Sequence, residues 1–206
     1  MDNSKTILKA GIKGLDIEAS DAQIESLIKF VDLLQKWNKT YNLTAIRSRE
    51  DMLRLHILDS LAILPLMTGK KIIDVGTGAG LPGIPLALFM PEVQFTLLDS
   101  NAKKTRFVQQ AVLELKLDNV EVIHSRVESL DRAAEYDVVM SRAFASLSDM
   151  MALASPLLNK DGIFMAMKGQ FPEEELKGLA CAYTMHDIKV PDIGAERCLL
   201  KISVQH

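Results

Sequence analysis

The sequence predicts an α/β protein built on a doubly wound, mostly parallel sheet with an N-terminal helical extension. Three observations carry that prediction. From residue 69 onward, short β-rich runs alternate with amphipathic helical stretches, the rhythm of βαβ units. The first of those runs ends in a glycine-rich loop that opens a helix. The last two runs are separated by seven residues only, 191–197, too few for a helical crossover, so they pair antiparallel.

The N-terminal part has no strand signal. Between residues 20 and 67 apolar side chains recur at helical spacing, as in Ile24, Leu27, Ile28, Val31 and Leu34 and again in Met52, Leu55 and Leu58. Ser20 and Asp21 are the N-cap candidates for the first helix. We therefore divide the chain into a helical extension, 1–68, packed on a single compact unit, 69–206. Within that unit the expected strands are 71–75, 93–98, 120–123, 136–140, 162–167, 184–190 and 198–204, seven in all. The expected helices are 84–89, 102–115, 146–158 and 172–182. Right-handed crossovers give such a chain an open sheet covered on both faces.

Composition narrows the function classes. Of 206 residues, 48% are apolar and 25% charged, which excludes disordered, collagenous and coiled-coil chains. Cys181 and Cys198 form no metal-ligand spacing and no disulfide framework. No apolar run is long enough to span a bilayer, and the N-terminus lacks the basic-then-apolar form of a signal peptide, so a cytoplasmic protein without a metal is expected. The net charge is −3; a nucleic-acid partner must then be held by a local basic patch.

The densest chemical signal is Ile72-Ile-Asp-Val-Gly-Thr-Gly-Ala-Gly-Leu-Pro-Gly-Ile-Pro85. Asp74 ends a buried strand, Gly76, Gly78 and Gly80 make a tight loop, and Leu81 leads into a helix whose first turn tolerates Pro82 and Pro85. Asp99 closes the next strand nineteen residues after Gly80, where a carboxylate can accept both hydroxyls of a ribose. The site therefore reads as one for an adenosine-type ligand. Gly78, Gly80 and Gly83 also satisfy the dinucleotide spacing, but a carboxylate at Asp74 would repel a pyrophosphate. S-adenosylmethionine, with its ammonium and sulfonium, fits better. After the third strand, Val127 and Glu128 lie where the adenine would sit.

The acceptor side is expected after the fourth strand, in the run 139–145. It has no Asn/Asp-Pro-Pro-aromatic run for exocyclic amines, and neither cysteine is placed as a nucleophile for cytosine C5. A target that is already nucleophilic fits this lack of a base. Arg142 can stack on a base or fork a phosphate, or simply pair with a nearby acid. Between residues 36 and 56, Lys36, Lys39, Arg47, Arg49 and Arg54 stand against Glu50 and Asp51. Lys103, Lys104 and Arg106 form a second basic group, and Lys168 ends the fifth strand. These are the candidate RNA-binding residues. Trp37 and Tyr41 either stack on unpaired bases or pack the extension onto the sheet.

Taken together, Lys36-Trp-Asn-Lys-Thr-Tyr-Asn-Leu-Thr-Ala-Ile46, His56-Ile-Leu-Asp-Ser-Leu61, the glycine motif, Leu97-Leu-Asp-Ser100, Lys103-Lys-Thr-Arg-Phe107, Ser125-Arg-Val-Glu128 and Ser141-Arg-Ala143 resemble the bacterial ribosomal RNA small-subunit methyltransferase G family, also called glucose-inhibited division protein B. The resemblance runs from about residue 30 to Gly169. It implies a Rossmann-like class I methyltransferase fold and transfer of a methyl group from S-adenosylmethionine to N7 of a guanine in the 530 loop of 16S rRNA. It also implies donor contacts at Gly76, Leu81, Asp99, Val127, Glu128 and Arg142, and rRNA binding by the basic surface. Our own reading adds that Arg142 serves catalysis and that a monomer binds 16S rRNA or the 30S subunit. A methyltransferase for small molecules and a non-catalytic RNA-binding module remain open at this point. The first twenty residues and the tail after Gly169 carry no diagnostic feature.

Overall fold

The computed structural model describes residues 3–142, 146–177 and 181–203. Five parallel strands, β1 (Lys71–Val75), β2 (Gln94–Asp99), β3 (Val120–His124), β4 (Tyr136–Ser141) and β5 (Leu158–Lys168), are joined by β7 (Cys198–Ser203) and β6 (Ala182–Asp187) in the order β3-β2-β1-β4-β5-β7-β6. β7 runs antiparallel to both β5 and β6. The seven-stranded, mostly parallel α/β sheet is the one the sequence predicts. The order reverses between β1 and β4, and the carboxyl ends of these two strands meet there, where open α/β sheets bind ligands.

Alternation along the strands sorts side chains into two cores. Ile72, Leu97, Val138 and Met140 face one side, together with the N-terminal helices, α5 (Gly83–Phe89) and α6 (Ala102–Leu115). Ile73, Val75, Leu98, Val139 and Phe164 face the other, covered by α7 (Leu147–Ala154) and α8 (Glu173–Lys177). Asp74 shares its side with Ile72, and so points toward α5.

The helical extension begins earlier than its sequence suggests. A helix α1 (Ser4–Gly14) precedes α2 (Asp21–Tyr41) and buries Ile7, Leu8 and Ile12. Its Gly11 lies against Leu58, where a Cβ would come within 2.2 Å of a methyl carbon. α2 starts at Ser20 in a capping box with Gln23. Residues 49–61 form one helical run, α3 (Arg49–Met52), a π-helical stretch Leu53–Leu58, and α4 (Asp59–Leu61). Two aromatic contacts join α2 to α6, Phe30–Phe107 at 6.1 Å and Trp37–Phe107 at 5.7 Å between ring centroids, and Trp37 also meets Tyr41 of its own helix at 5.3 Å. Trp37 thus packs the extension onto the sheet unit, while Tyr41 stays largely exposed.

Two helices are shorter than expected. The run 146–158 is helical only to Ala154, then tightens to a 3-10 turn at Ser155–Leu157. Pro156 offers no N–H to continue the ladder. The run 172–182 is helical at Glu173–Lys177; residues 178–180 of it lie outside the described residues, and Ala182 already belongs to β6. β6 accordingly ends at Asp187 rather than at 190, because its register is fixed by pairing Ala182 with Ser203 and Asp187 with Cys198. Residue 204, expected in the last strand, and residues 143–145 of the expected acceptor segment also lie outside the described residues.

Phe107 is fully buried and bears both aromatic contacts from α2. Phe107→Ala should therefore destabilise the fold by about 3–5 kcal/mol, the usual loss for an aromatic core truncation. Denaturant unfolding checks it; a loss near zero would mean that α2 and α6 do not share a core.

Candidate donor and acceptor cavities

The glycine loop is held in place from within. The N–H groups of Gly76 and Thr77 both donate to the Leu98 carbonyl, at 2.8 and 3.0 Å. Gly78, with φ +62°, donates to Oδ2 of Asp99 at 2.9 Å, and Gly80 and Leu81 donate to the Thr77 carbonyl. A loop that cradles phosphates must keep such N–H groups for the ligand. This one turns them inward, which argues against a pyrophosphate here more directly than charge does.

Asp74 supports the loop from below. It is fully buried beneath the loop, and its Oδ2 accepts the Thr77 hydroxyl at 2.8 Å and the Gly83 N–H at 3.1 Å. The close approach requires glycine at 83, where a Cβ would sit 2.2 Å from Leu97 and 3.0 Å from that same oxygen. Oδ1 has no hydrogen-bond partner among the described residues. Burial pushes the carboxyl up to about 7, against the pull of the Thr77 and Gly83 hydrogen bonds and of Arg142. A group near half protonation at neutral pH repels anions weakly, so repulsion by Asp74 is a poor guide to the ligand.

Asp99 sits at the mouth of the site. Its Oδ1 accepts the Asn101 N–H at 2.8 Å while Oδ2 holds Gly78. Asn101 in turn caps α6 by accepting from Lys103 and Lys104 N–H groups. Two single-acceptor bonds leave lone pairs on both Asp99 oxygens. A cleft of about 220 Å³ opens here, and Gly76, Asp99, Val127 and Glu128 line it together with Ser100 and Ser125. Four of the expected donor contacts therefore meet in one place. Asp74, Gly78, Gly80 and Leu81 do not line it; they form the scaffold behind it.

Arg142 lies in a neighbouring cavity of about 290 Å³ with Asp59, Lys168 and Arg197. Asp59 is 4% exposed and binds two guanidiniums, Arg197 Nε at 2.9 Å and Arg142 NH1 at 3.5 Å. The ion pair weighed for Arg142 from the sequence is thus present, but it is loose. NH1 makes no hydrogen bond among the described residues. His56 is buried nearby, its Nε2 2.8 Å from the Thr44 hydroxyl. Burial, reinforced by Arg142, lowers its pKa to about 4, so it is neutral at pH 7.

Asp59 stood in the quoted motifs without a role, and Arg197 lay in the tail that carried no signal. Neither could be paired with Arg142 from spacing, because the three come from segments far apart in the chain.

The basic candidates divide. Lys36, Lys39, Lys103 and Arg106 are exposed and make no ion pair among the described residues. Trp37 on Phe107 and Lys29 on Glu114 (3.0 Å) set α2 antiparallel to α6, so these four lie at one end of the helix pair. Lys104 there is half-buried. Arg47, in contrast, bonds to the Asn38 carbonyl and the Asn42 amide at the end of α2. Arg54 pairs with Glu50 at 3.1 Å. Lys168 is held by both oxygens of Glu175, at 3.0 and 3.1 Å, which makes it a structural cation in this state.

Comparison with known proteins accords with this geometry. The family model described as rRNA small subunit methyltransferase G matches residues 23–198. The ribosomal RNA small subunit methyltransferase G of a Marinomonas species is 50% identical over 200 residues, covering 96% of each chain. That of Psychromonas ingrahamii is 49% identical over 189 residues, covering 90% of this chain and 91% of its own. Among solved structures, a SAM dependent methyltransferase from Aquifex aeolicus superposes with a TM-score of 0.57 at 17% identity, over 75% of this chain and 93% of its own; that likeness concerns the fold alone.

The raised pKa of Asp74 has a measurable sign. The unfolded chain releases this proton near 3.8 and the folded one near 7, so the native state binds more protons between those values and loses stability as pH rises through them. Asp74→Asn cannot ionise. Relative to the parent, it should gain stability between pH 4 and pH 7 in denaturant titrations; parallel pH profiles would show that Asp74 titrates normally.

Proposed function

The chain belongs to the rRNA small subunit methyltransferase G family, and from that premise we propose that it transfers the methyl group of S-adenosylmethionine to N7 of a guanine in the 530 loop of 16S rRNA. The observation that supports this most is the adjacency of two unlike cavities where β1 and β4 end. One presents a ribose-type acid, Asp99; the other presents guanidiniums. Ser141, just before Arg142, donates to the Val75 carbonyl at 2.7 Å, so the two cavities are built on neighbouring, hydrogen-bonded strand ends.

The residues present suit the methyl donor. Asp99 retains lone pairs for ribose hydroxyls, Gly76 offers backbone without a Cβ, and Val127 and Glu128 form the wall that would flank the adenine. Asp74, with its unpartnered Oδ1, lies behind the loop and supports Gly83 and Thr77. When bound, the donor supplies a methyl group on a sulfonium. The protein's part is to hold the acceptor in line with it.

Guanine N7 carries an in-plane lone pair and no proton. Its methylation needs no general base, and Asp59, the buried acid of the second cavity, is already committed to Arg142 and Arg197. Arg142 is the residue we assign to the base or its phosphate. In this reading residues 1–68 are an extension that brings a basic surface to a catalytic unit of residues 69–206. Lys36, Lys39, Lys103 and Arg106 then meet rRNA phosphates, with Lys104 beside them, while Arg47, Arg54 and Lys168 hold the surface in shape. The enzyme acts as a monomer in the cytoplasm on 30S subunits or their rRNA. Among the described residues, no helix is long and apolar enough to cross a membrane.

Labelled S-adenosylmethionine incubated with unmodified 30S subunits and with naked 16S rRNA, followed by nucleoside analysis, should place the label in 7-methylguanosine. Label in another nucleoside, or transfer to small molecules alone, would overturn the assignment. Asp99→Ala should weaken donor binding by about 1.5–3 kcal/mol, the worth of a charged hydrogen-bond partner; unchanged affinity by calorimetry would remove Asp99 from the donor site.

A further inference from the structure

The cavity beside Arg142 does not end there. A second one, of about 580 Å³, adjoins it and shares Ile188, Arg197 and Cys198 with it. One wall is continuous chain: Lys168 and Gly169 line the first cavity, and Gln170 and Phe171 line the second. At the junction the Cys198 thiol donates to the Gln170 carbonyl at 3.6 Å, while the Ile188 N–H donates to the Arg197 carbonyl at 2.8 Å. Arg197 stands between the two spaces. Its Nε is fixed on buried Asp59 and its NH1 on the Glu196 carbonyl at 2.8 Å.

The two spaces differ in chemistry. The inner one sets two guanidiniums against Asp59, and its lysine is occupied by Glu175. The outer one is lined by Lys189 and Arg197 against Asp187 and Glu196, and because Arg197 is already held by Asp59 it carries no excess of positive charge. A phosphate has no electrostatic reason to settle in the outer space. An exposed aromatic ring does have one use there. Phe171 is 44% exposed, and a flat apolar ring at the edge of a charge-balanced groove is the surface on which an unpaired base stacks.

Resting on the proposed rRNA substrate, we propose that the outer cavity receives the base of a nucleotide adjoining the methylated guanine, stacked on Phe171. The target base occupies the inner cavity beside Arg142, and the intervening phosphate passes Arg197. Phe171 is a substrate-binding residue: it touches a flanking nucleotide and adds affinity for the RNA equally before and during transfer.

Steady-state methyl transfer to unmodified 30S subunits tests this. Phe171→Ala should raise KM for the particle by about ten-fold, the size of one base–aromatic stack, and leave kcat within about two-fold. Phe171→Tyr should keep the parent KM. Phe171→Leu, apolar but without a ring, should behave as the alanine variant does. Donor affinity and melting temperature should be unchanged in all three, since the side chain is outside both cores. An unchanged KM in Phe171→Ala, or full rescue by Phe171→Leu, overturns the stacking role while leaving the methyltransferase reading intact. Failure of the parent protein to methylate rRNA in any form overturns both.

Discussion

Asp59 is the side chain on which the cavity beside Arg142 depends. It comes from the helical run after α2, and it holds one arginine that follows β4 and another that precedes β7. Three remote segments are thereby fixed to one nearly inaccessible carboxylate. Such an arrangement contributes little net stability, because desolvating the charges offsets most of their attraction. Its value is geometric. Removing the acid would leave two guanidiniums facing each other in a confined space, with nothing to set their direction.

The glycine-loop end rests on a comparable device with a different logic. Asp74 and Asp99 are two strand-terminal carboxylates on neighbouring strands, yet one is sealed and the other opens on a cleft. Asp74 shapes the loop by gathering Thr77 and Gly83; Asp99 fixes Gly78 and still has capacity to spare. The loop is therefore organised before any ligand arrives, and little ordering entropy is left for binding to supply.

The sheet, its mixed direction and the glycine loop were legible because each depends on local signals: short β-rich apolar runs, glycines that permit positive φ, and linkers too short for a crossover. Asp99 was legible for the same reason, by its spacing. What was not legible is long-range. α1 lies in the first twenty residues, which carry no diagnostic feature, and the need for its Gly11 shows only once Leu58 is seen lying against it. Arg197 lies 138 residues from Asp59, and no pattern in the chain announces that pairing. Several basic residues were read as one class, although Arg47, Arg54 and Lys168 turn out to be spoken for by neighbours. Charge is visible in a sequence; the partner that occupies it is not.

The strand order has a consequence for chains cut short. Among the described residues β7 comes last in the chain, but it lies between β5 and β6 rather than at the margin of the sheet. β6 pairs with no other strand among the described residues. A premature stop before Cys198 thus removes two strands from the sheet, not one, and leaves the flank of β5, with Phe164 and Ala166, as a raw edge open to other chains. Quality control by the cell would meet such a product as a sticky fragment rather than as a slightly trimmed enzyme.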